Sequence, residues 1–278
     1  MDGLPCPVPK TVGLVFKKTR EAADTASLVA QYFRSHGREV LTDEQAVGRE
    51  ADLVVVLGGD GTLLHASWLL AGRRAPILGV NMGSLGFMTE VPHGEIYPTL
   101  DLVLAGRATL SERLKLGVHL HRGSDRTPAL EGEVLNDVVI SKTALGRMCE
   151  LDTRYRGGYL TTYKGDGVIV ATPTGSTAYA LASNGPIVYP TMEGVIVAPI
   201  CPHTLTQRPL VLPDDGDIEL LLVNDTEVFL TMDGRPGVSI SRGDRVQVKP
   251  SPNRVLLVRN PKIDFFGILR AKLRWGER

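Results

Sequence analysis

The feature that most constrains the fold of this chain is an uninterrupted apolar run over residues 53–57, which leads directly into the glycine-rich sequence GGDGT at 58–62. Consecutive β-branched and other apolar residues, without polar alternation, are typical of a strand that is buried on both faces of a parallel sheet. The residues that follow, 63–70, favour a helix. A strand, a glycine-rich turn and a helix in this order predict an α/β sheet with a ligand site beyond the carboxyl end of the strand.

The glycine-rich turn also constrains the chemistry. Its glycines allow the main chain to approach a bound group closely, and free amides at a strand-to-helix turn suit phosphate oxygens. The single carboxylate, Asp60, is poorly placed to bind an anion but well placed to accept a proton from an attacking hydroxyl. We therefore interpret the turn as part of a phosphoryl-transfer site. The structural alternative is an Asp that caps the following helix.

Two common nucleotide-binding motifs do not occur in the sequence. It contains no G-x-x-x-x-G-K-[ST], which argues against a P-loop nucleotide-binding protein. No G-x-G-x-x-G follows the first predicted strand, which argues against a Rossmann-type dehydrogenase.

Composition limits the partners and the compartment. The 278 residues suit one large or two small domains, and 31 basic residues balance 31 acidic residues. This balance favours neither a nucleic-acid partner nor a membrane partner, and no apolar stretch or N-terminal pattern predicts a membrane span or a signal peptide. Three widely separated cysteines without a C-x-x-C pair favour a reducing cytoplasm, and they predict neither a disulfide framework nor a metal site.

Residues 1–112 are predicted to form the α/β domain that carries the GGDGT sequence. Alternating strands and helices in this region predict a parallel sheet with right-handed crossovers. The predicted elements are strands at 12–16, 53–57 and 76–80 and helices at 20–36, after residue 62 and at 94–105.

Residues 113–260 are predicted to form an all-β domain, a sandwich-like pair of packed sheets. Short β-rich runs are separated there by turn sequences such as DDGD and RGD. We expect two of the strands at 245–249 and 254–259, and one helical interruption at 176–183.

Residues 261–278 return to helical spacing, with Phe266, Leu269 and Leu273 on one face. We expect this C-terminal helix to pack back on the first domain through these apolar side chains.

A second group of polar residues surrounds the predicted strand 168–171. The sequence KGDG precedes this strand at 164–167, and TPTGSTAYA follows it at 172–180. Small and hydroxylated residues at a strand end, with one Tyr at a helix start, suit a polar pocket for the edge of a purine base. The alternative is an ordinary strand, turn and helix with Ser176 as the N-cap.

Together these segments resemble the NAD kinase family, whose members phosphorylate NAD to NADP. The sequence TPTGSTAY at 172–179 narrows the choice, because GGDG alone is shared with lipid kinases and phosphofructokinases. Further segments similar to family motifs are NMGSLGF at 81–87, ND at 136–137, GDG at 165–167, PICPHTL at 199–205, RP at 208–209 and the tail at 265–275.

The resemblance implies an ATP-dependent kinase that acts on the adenosine 2′-hydroxyl of NAD. Asp60 would be the general base. Mg²⁺, or another divalent cation, and the glycine-rich turn would together hold the phosphates of ATP. The turn residues in this role are Gly58, Gly59, Gly61 and Thr62. His65 lies one helical turn further along the chain, and its position would let it approach the same phosphates.

The resemblance also assigns residues to the dinucleotide. Asn136 and Asp137 would bind its adenine and ribose groups. The residues that would hold the adenine are Thr174, Thr177, Ala178 and Tyr179. The remaining contact positions are Arg147, Lys164, Asp166 and Ala182. Family members assemble as homodimers or homotetramers with shared sites, which would allow Lys164 and Asp166 to act from a neighbouring subunit.

The chain departs from the family pattern at four places. Asp137 stands where Glu is common, Lys164 where Arg is frequent, Arg235 where Gln is frequent, and residues 183–185 contain less glycine. A Lys replaces a planar fork with a point charge, so these departures bear on substrate preference more than on the reaction. Two alternatives stay open: a lipid kinase of the diacylglycerol or sphingosine kinase type, and a catalytically silent dinucleotide sensor.

Overall fold

The computed structural model of the protein describes residues 3–143 and 146–275. The chain divides into two compact units, one formed by residues 1–113 and 253–278 and the other by residues 114–252. The first unit resumes at residue 253 and not at 261, because the last long strand passes from one unit into the other.

A parallel sheet forms the centre of the first unit. Its strands β2, β3, β4 and β5 lie in the order β5-β4-β2-β3, and all neighbouring pairs are parallel. Helices α1, α2 and α3 connect these strands, as the alternating pattern predicts, and α4 follows β6. The elements are β1 (Leu4–Pro5), β2 (Thr11–Phe16), α1 (Arg20–Ser35), β3 (Glu39–Leu41), α2 (Glu44–Glu50), β4 (Leu53–Gly58), α3 (Asp60–Leu69), β5 (Ile77–Asn81), β6 (Val91–Pro92) and α4 (Ile96–Leu104).

The first helix, α1, can be predicted from its own sequence, because its ends and its apolar face are both encoded locally. Thr19 accepts a hydrogen bond from the Ala22 N–H at its start, and Gly37 follows its end with a φ of 70°. The stripe predicted to face the core is buried: Ala22, Ala26, Val29 and Phe33. The prediction of a helix over 20–36 is confirmed, whereas β3 and α2 were not predicted because both are short.

The second unit is an antiparallel sandwich. One sheet has the order β14-β13-β12-β9-β16-β17, and the other contains β11-β10-β15-β18 with β7 and β8. One apolar cluster draws residues from both sheets, so the core lies between them. The strands are β7 (Thr109–His121), β8 (Leu130–Val134), β9 (Asp137–Lys142), β10 (Cys149–Tyr155), β11 (Gly158–Gly165), β12 (Gly167–Ala171), β13 (Val195–Ile200), β14 (Leu210–Leu212), β15 (Ile218–Leu222), β16 (Val228–Met232), β17 (Val238–Ile240) and β18 (Arg245–Val258).

The predicted fold class, a parallel α/β domain followed by an all-β sandwich-like domain and a C-terminal helix, is therefore confirmed. Two predicted strands, 245–249 and 254–259, are one continuous strand, β18. The intervening prolines do not end it, and the Ser251 hydroxyl donates a short hydrogen bond to Glu133 there. Among the described helices, none is both long and apolar enough to cross a membrane.

The last two helices differ in part from the prediction. A helix of four residues, α5 (Tyr179–Ala182), occupies part of the predicted interruption, and the C-terminal helix is α6 (Phe265–Leu273). The predicted buried face is partly wrong: Leu269 is buried and Leu273 is half-buried, but Phe266 is 54% exposed. Ile268 is buried in its place, because the helix turns the pair 268–269 toward the first unit's core.

We predict that Leu269→Ala lowers the free energy of unfolding by about 2–4 kcal/mol, because it removes most of a buried side chain and leaves a cavity. Phe266→Ala is the matched control, and we expect a change of about 0.5 kcal/mol or less because its ring is exposed. Urea denaturation measures both. Equal losses in the two variants would contradict the burial of α6 described above.

Candidate functional site

The glycine-rich turn joins β4 directly to α3. Gly59 is the N-cap of α3, with an extended main chain, and the helix begins at Asp60 rather than after Thr62. Among the described residues no side chain caps this helix, so the alternative in which Asp60 is the cap is wrong. A Cβ placed on Gly59 or Gly61 would meet no described atom within 4 Å, which leaves this side of the turn open.

Gly58 and Thr62 differ from the open glycines. A Cβ on Gly58 would lie 2.4 Å from the Thr62 hydroxyl oxygen, so this glycine serves close packing inside the turn. The Thr62 N–H donates to the Gly59 carbonyl at 3.0 Å. The free amides of the helix start are therefore those of the earlier residues, since the first N–H groups of a helix have no acceptor within it.

The carboxylate of Asp60 is fixed by the loop that follows β5. Its Oδ2 accepts the Phe87 N–H at 2.8 Å. Its Oδ1 accepts the N–H groups of Met88 at 3.0 Å and Thr89 at 3.1 Å, and also the Thr89 hydroxyl at 3.2 Å. Four donors from three consecutive residues thus hold one side chain.

The two oxygens of Asp60 differ in what they can still accept. Each carboxylate oxygen offers about two lone-pair sites, and Oδ1 already has three donors whereas Oδ2 has one. Oδ2 is therefore the oxygen with capacity for a further donor, such as a substrate hydroxyl.

The loop around Asp60 is held by its own residues. The Asn81 side chain accepts the Gly83 N–H at 2.7 Å and donates to the Thr89 hydroxyl at 3.3 Å. A Cβ on Gly86 would lie 2.3 Å from Asp60 Oδ1, so only glycine allows the loop to approach this closely. The sequence motif at 81–87 was recognised, but the roles of Asn81, Gly86 and Thr89 as supports of Asp60 were not.

His65 has partners elsewhere in the first unit. Its Nε2 lies 3.1 Å from a carboxylate oxygen of Glu44 in α2, and its ring stacks on that of Trp68. These contacts give His65 a structural role in joining α2 to α3. Its predicted approach to phosphates stays a prediction.

In the second unit, Asn136 and Asp137 lie where the chain passes from one sheet to the other. β8, which pairs with β7, ends at Val134, and β9 of the other sheet begins at Asp137. The N–H groups of residues 135, 136 and 137 donate to the Asp233 carboxylate at 2.8, 2.8 and 3.1 Å. Asp233 was not predicted as a site residue, and the only signal for it was its place in the DGRPG turn.

The carboxyl group of Asp137 is in an unusual environment. It is 5% exposed, and burial together with the nearby charge of Asp233 raises its pKa to about 7, while the Tyr179 N–H opposes the shift. The side chain consequently titrates near neutral pH instead of in the acidic range.

The hydroxylated segment after β12 lies against Asn136. A Cβ on Gly175 would be 2.1 Å from the Asn136 carbonyl oxygen, which shows how closely the two segments approach. Thr177 Oγ1 donates to the Thr174 carbonyl at 3.3 Å, and the Tyr179 ring is 46% exposed. The structure therefore brings 136–137 and 174–179 together, as the purine-pocket interpretation expects.

Two buried polar atoms here have no hydrogen-bond partner within residues 3–143 and 146–275. They are Asn136 Oδ1 and Thr174 Oγ1. A buried polar atom without a partner is costly, so these two atoms are available to a polar ligand. Ser176, by contrast, is satisfied: its hydroxyl donates to the Val188 carbonyl at 3.2 Å and accepts the Val188 N–H at 3.1 Å, which is not an N-cap arrangement.

The other predicted contact residues lie at the surface of the second unit. Lys164 pairs with Glu150 at 2.7 Å across two strands, and Asp166 lies 3.5 Å from Lys142. Arg147 and Ala182 are exposed. Ala178 is half-buried at the junction between a 3₁₀ turn, Thr174–Thr177, and α5. In the described parts of the chain no three His, Cys, Asp or Glu side chains are grouped as metal ligands.

Comparison with known protein families matches both units. Residues 42–108 match the model for the ATP-NAD kinase N-terminal domain, and residues 135–260 match that for the ATP-NAD kinase C-terminal domain. The NAD kinase of Geobacter metallireducens is 48% identical over 90% of this chain and 88% of its own length. The NAD kinase of Solibacter usitatus is 38% identical over 98% of this chain and its full length.

Solved structures give the same fold. Yeast NADH kinase complexed with NADH superposes with a TM-score of 0.85 at 26% identity, covering 99% of this chain and 89% of that one. An NAD kinase from Archaeoglobus fulgidus in complex with ATP superposes with a TM-score of 0.78 at 23% identity, covering 94% of this chain and 99% of that one.

We predict that Gly86→Ala destabilises the protein by about 1–3 kcal/mol, because the added methyl group must displace either Asp60 or the Thr89 hydroxyl. Gly83→Ala is the matched control in the same loop, since a Cβ there meets no described atom within 4 Å. Thermal melting of both variants checks this. A Gly86→Ala protein as stable as Gly83→Ala would show that the loop does not hold Asp60 as described.

We predict a pH-dependent stability that originates in Asp137. Its pKa in the folded protein, about 7, exceeds the ordinary value of 3.8. The contribution of Asp137 to the free energy of unfolding is therefore fully present below pH 4 and is lost as the pH rises through 7. Asp137→Asn removes this titration. Between pH 5 and pH 8 the variant should therefore gain about 3 kcal/mol of stability relative to the unmodified protein.

Denaturation at a series of pH values measures this difference. Asp225→Asn, which changes a carboxylate that is 80% exposed, is the control and should show no such trend. A constant difference between Asp137→Asn and the unmodified protein across this range would contradict the assignment.

Proposed function

The chain belongs to the NAD kinase family, and on this premise we propose that it transfers a phosphoryl group from ATP to the adenosine 2′-hydroxyl of NAD, giving NADP. The family matches extend over both units, and the relatives are similar over almost their whole length. The enzyme is thus a phosphotransferase that acts on an alcohol group of NAD.

The observation that carries the mechanism is the fixed carboxylate of Asp60 beside an open glycine turn. Asp60 Oδ2 has the capacity to accept the proton of the attacking hydroxyl, because its partner oxygen takes three of the four loop donors. A base held in one orientation costs no reorganisation during the reaction. Proton removal of this kind contributes about 10²–10⁴-fold to a rate.

The donor phosphates are proposed to bind at the start of α3. Gly59 and Gly61 leave this surface open, and the free N–H groups of a helix start, with its dipole, attract anions. Gly58 and Thr62 shape the turn through their mutual contact. His65, one turn later, is proposed only as a more distant contact because it is paired with Glu44.

A divalent cation, Mg²⁺ in the simplest case, is expected to accompany ATP. Such an ion neutralises charge on the phosphates as transfer proceeds. It is usually held by one or two carboxylates together with phosphate oxygens and water. The described residues offer no dedicated cluster of ligands, which suits an ion that arrives with ATP.

The dinucleotide is proposed to bind through the second unit. Asn136 Oδ1 and Thr174 Oγ1, which have no partner among the described residues, suit the polar edge of the adenine, with Thr177 and Ala178 beside them. The exposed Tyr179 ring is available for stacking. Asp137 in its ionised form would accept hydrogen bonds from ribose hydroxyls.

A homo-oligomer in the cytoplasm is part of the proposal. The surface positions of Arg147, Lys164, Asp166 and Ala182 are compatible with contacts to a dinucleotide bound by a neighbouring subunit. The proposal places the protein in a reducing compartment, where free thiols such as those of Cys6, Cys149 and Cys201 persist. The balanced charge continues to favour small nucleotides over nucleic acids or membranes as partners. The family matches do not favour a lipid kinase or a silent sensor.

We predict that the protein forms NADP from NAD, ATP and Mg²⁺, and that Asp60→Asn lowers kcat by about 10²–10⁴-fold because the base is lost. A coupled NADP assay measures both. Asp52→Asn is the matched control: Asp52 lies at the other end of β4 and also accepts two main-chain N–H groups, from Lys10 and Thr11.

Thermal melting of Asp60→Asn separates lost chemistry from lost folding. A folded Asp60→Asn protein with full activity would refute the role of Asp60. No NADP from the unmodified protein would refute the proposed reaction itself.

A further inference from the structure

Asp233 occupies a turn with a constrained main chain. It has a φ of 49°, in the left-handed region that few residues other than glycine adopt. It follows β16 directly, and its carboxylate reaches across to a segment almost a hundred residues earlier in the chain. Asp is among the residues that tolerate this conformation. At this position it supplies a carboxylate, which a glycine would not.

The contacts of Asp233 converge on residues 135–137. Its Oδ1 accepts the N–H groups of Asn136 and Asp137, and its Oδ2 accepts that of Leu135. Its own N–H donates to the Asp137 carbonyl at 3.0 Å. Four hydrogen bonds thus join one residue to the main chain of three consecutive residues.

Thr172 holds the same segment from the other side. Its hydroxyl donates to the Leu135 carbonyl at 2.5 Å, and its N–H donates to the Asn136 carbonyl at 2.9 Å. Residues 135 and 136 lie outside both β8 and β9. Their main chain is therefore directed by Asp233 and Thr172, which act where the regular strand pairing is interrupted.

We propose that Asp233 is a positioning residue for the dinucleotide, because its hydrogen bonds to the main chain of residues 135–137 set the direction of the Asn136 and Asp137 side chains. This inference rests on the proposed roles of Asn136 and Asp137 in binding NAD. It adds a residue that does not itself need to contact the ligand.

Asp233 also acts on Asp137 through its charge, and the effect depends on which groups face each carboxyl group. Asp233 faces three N–H donors and lies near the guanidinium of Arg235. Asp137 faces the charge of Asp233 and the N–H of Tyr179. Burial raises the pKa of both carboxyl groups. Three N–H donors and Arg235 oppose this shift at Asp233, whereas only the Tyr179 N–H opposes it at Asp137, so we expect Asp137 to take up a proton more readily. Only the ionised Asp137 accepts hydrogen bonds with both oxygens, and NAD affinity should therefore rise with pH through about 7.

Asp233→Asn tests the proposal in the full-length protein. The amide keeps the size of the side chain but presents an NH₂ group to a main-chain N–H. We expect KM for NAD to rise about 10- to 100-fold, with a smaller change in kcat because Asp60 lies in the other unit. The pH midpoint of KM for NAD should also move to lower pH, since the neighbouring negative charge is gone.

Asp244→Asn is the matched control. Asp244 is a buried carboxylate in the same unit that also accepts main-chain N–H groups, from Ser241 and Gly123. Its loss should reduce stability without moving KM for NAD or the pH midpoint. A folded Asp233→Asn protein with an unchanged KM, or with an unchanged pH midpoint, would overturn the proposal.

Thr172→Val and Thr172→Ser keep the proposal testable if Asp233→Asn fails to fold. Thr172→Val removes the hydroxyl that holds Leu135, and it should raise KM for NAD without moving the pH midpoint. Thr172→Ser keeps a hydroxyl and should leave KM for NAD close to that of the unmodified protein. An unchanged KM in Thr172→Val would overturn the proposed positioning. Failure of the proposed function is recognised separately, because the unmodified protein would then form no NADP or Asp137→Asn would leave KM for NAD unchanged.

Discussion

The hydrogen bonds between the Asp60 carboxylate and the N–H groups of residues 87–89 are the interaction on which the chemistry proposed for the first unit depends. They join the carboxyl end of β4 to the loop after β5. Two neighbouring strands of the parallel sheet thus fix the position of the Asp60 side chain. Gly86 is required by this approach, and Asn81 and Thr89 support it. The sheet positions the loop, the loop orients the carboxylate, and Oδ2 of the carboxylate retains capacity for a further donor.

The second unit uses the same physical device. Asp233 accepts three main-chain N–H groups where the chain passes from one sheet to the other, and Asp244 accepts two beside another turn. A buried carboxylate needs such donors, because burial without them disfavours its charge strongly. In this protein the requirement is met by irregular main chain. The N–H donors stabilise the charge of the carboxylate. The carboxylate in turn holds segments that lack regular strand pairing in a single conformation.

The sequence was sufficient for features that depend on local patterns. The apolar run before the GGDGT sequence predicted β4, and the stripe from Ala22 to Phe33 predicted α1, because neighbouring residues decide both. Long-range contacts were not accessible. Nothing near Asp60 in the sequence identifies Thr89 as its partner, and Asp233 lies far from Asn136. Phe266 was misplaced because helical spacing alone does not fix which apolar residues face the core. The roles of the individual site residues remain predictions.

The central claim is that a fixed carboxylate directs phosphoryl transfer to one hydroxyl of NAD. Phosphorus and proton NMR of the product formed by the unmodified protein from NAD, ATP and Mg²⁺ tests it most directly. We expect a single new phosphate, attached to the 2′-oxygen of the adenosine ribose. A phosphate on any other hydroxyl, or a mixture of positions, would contradict it.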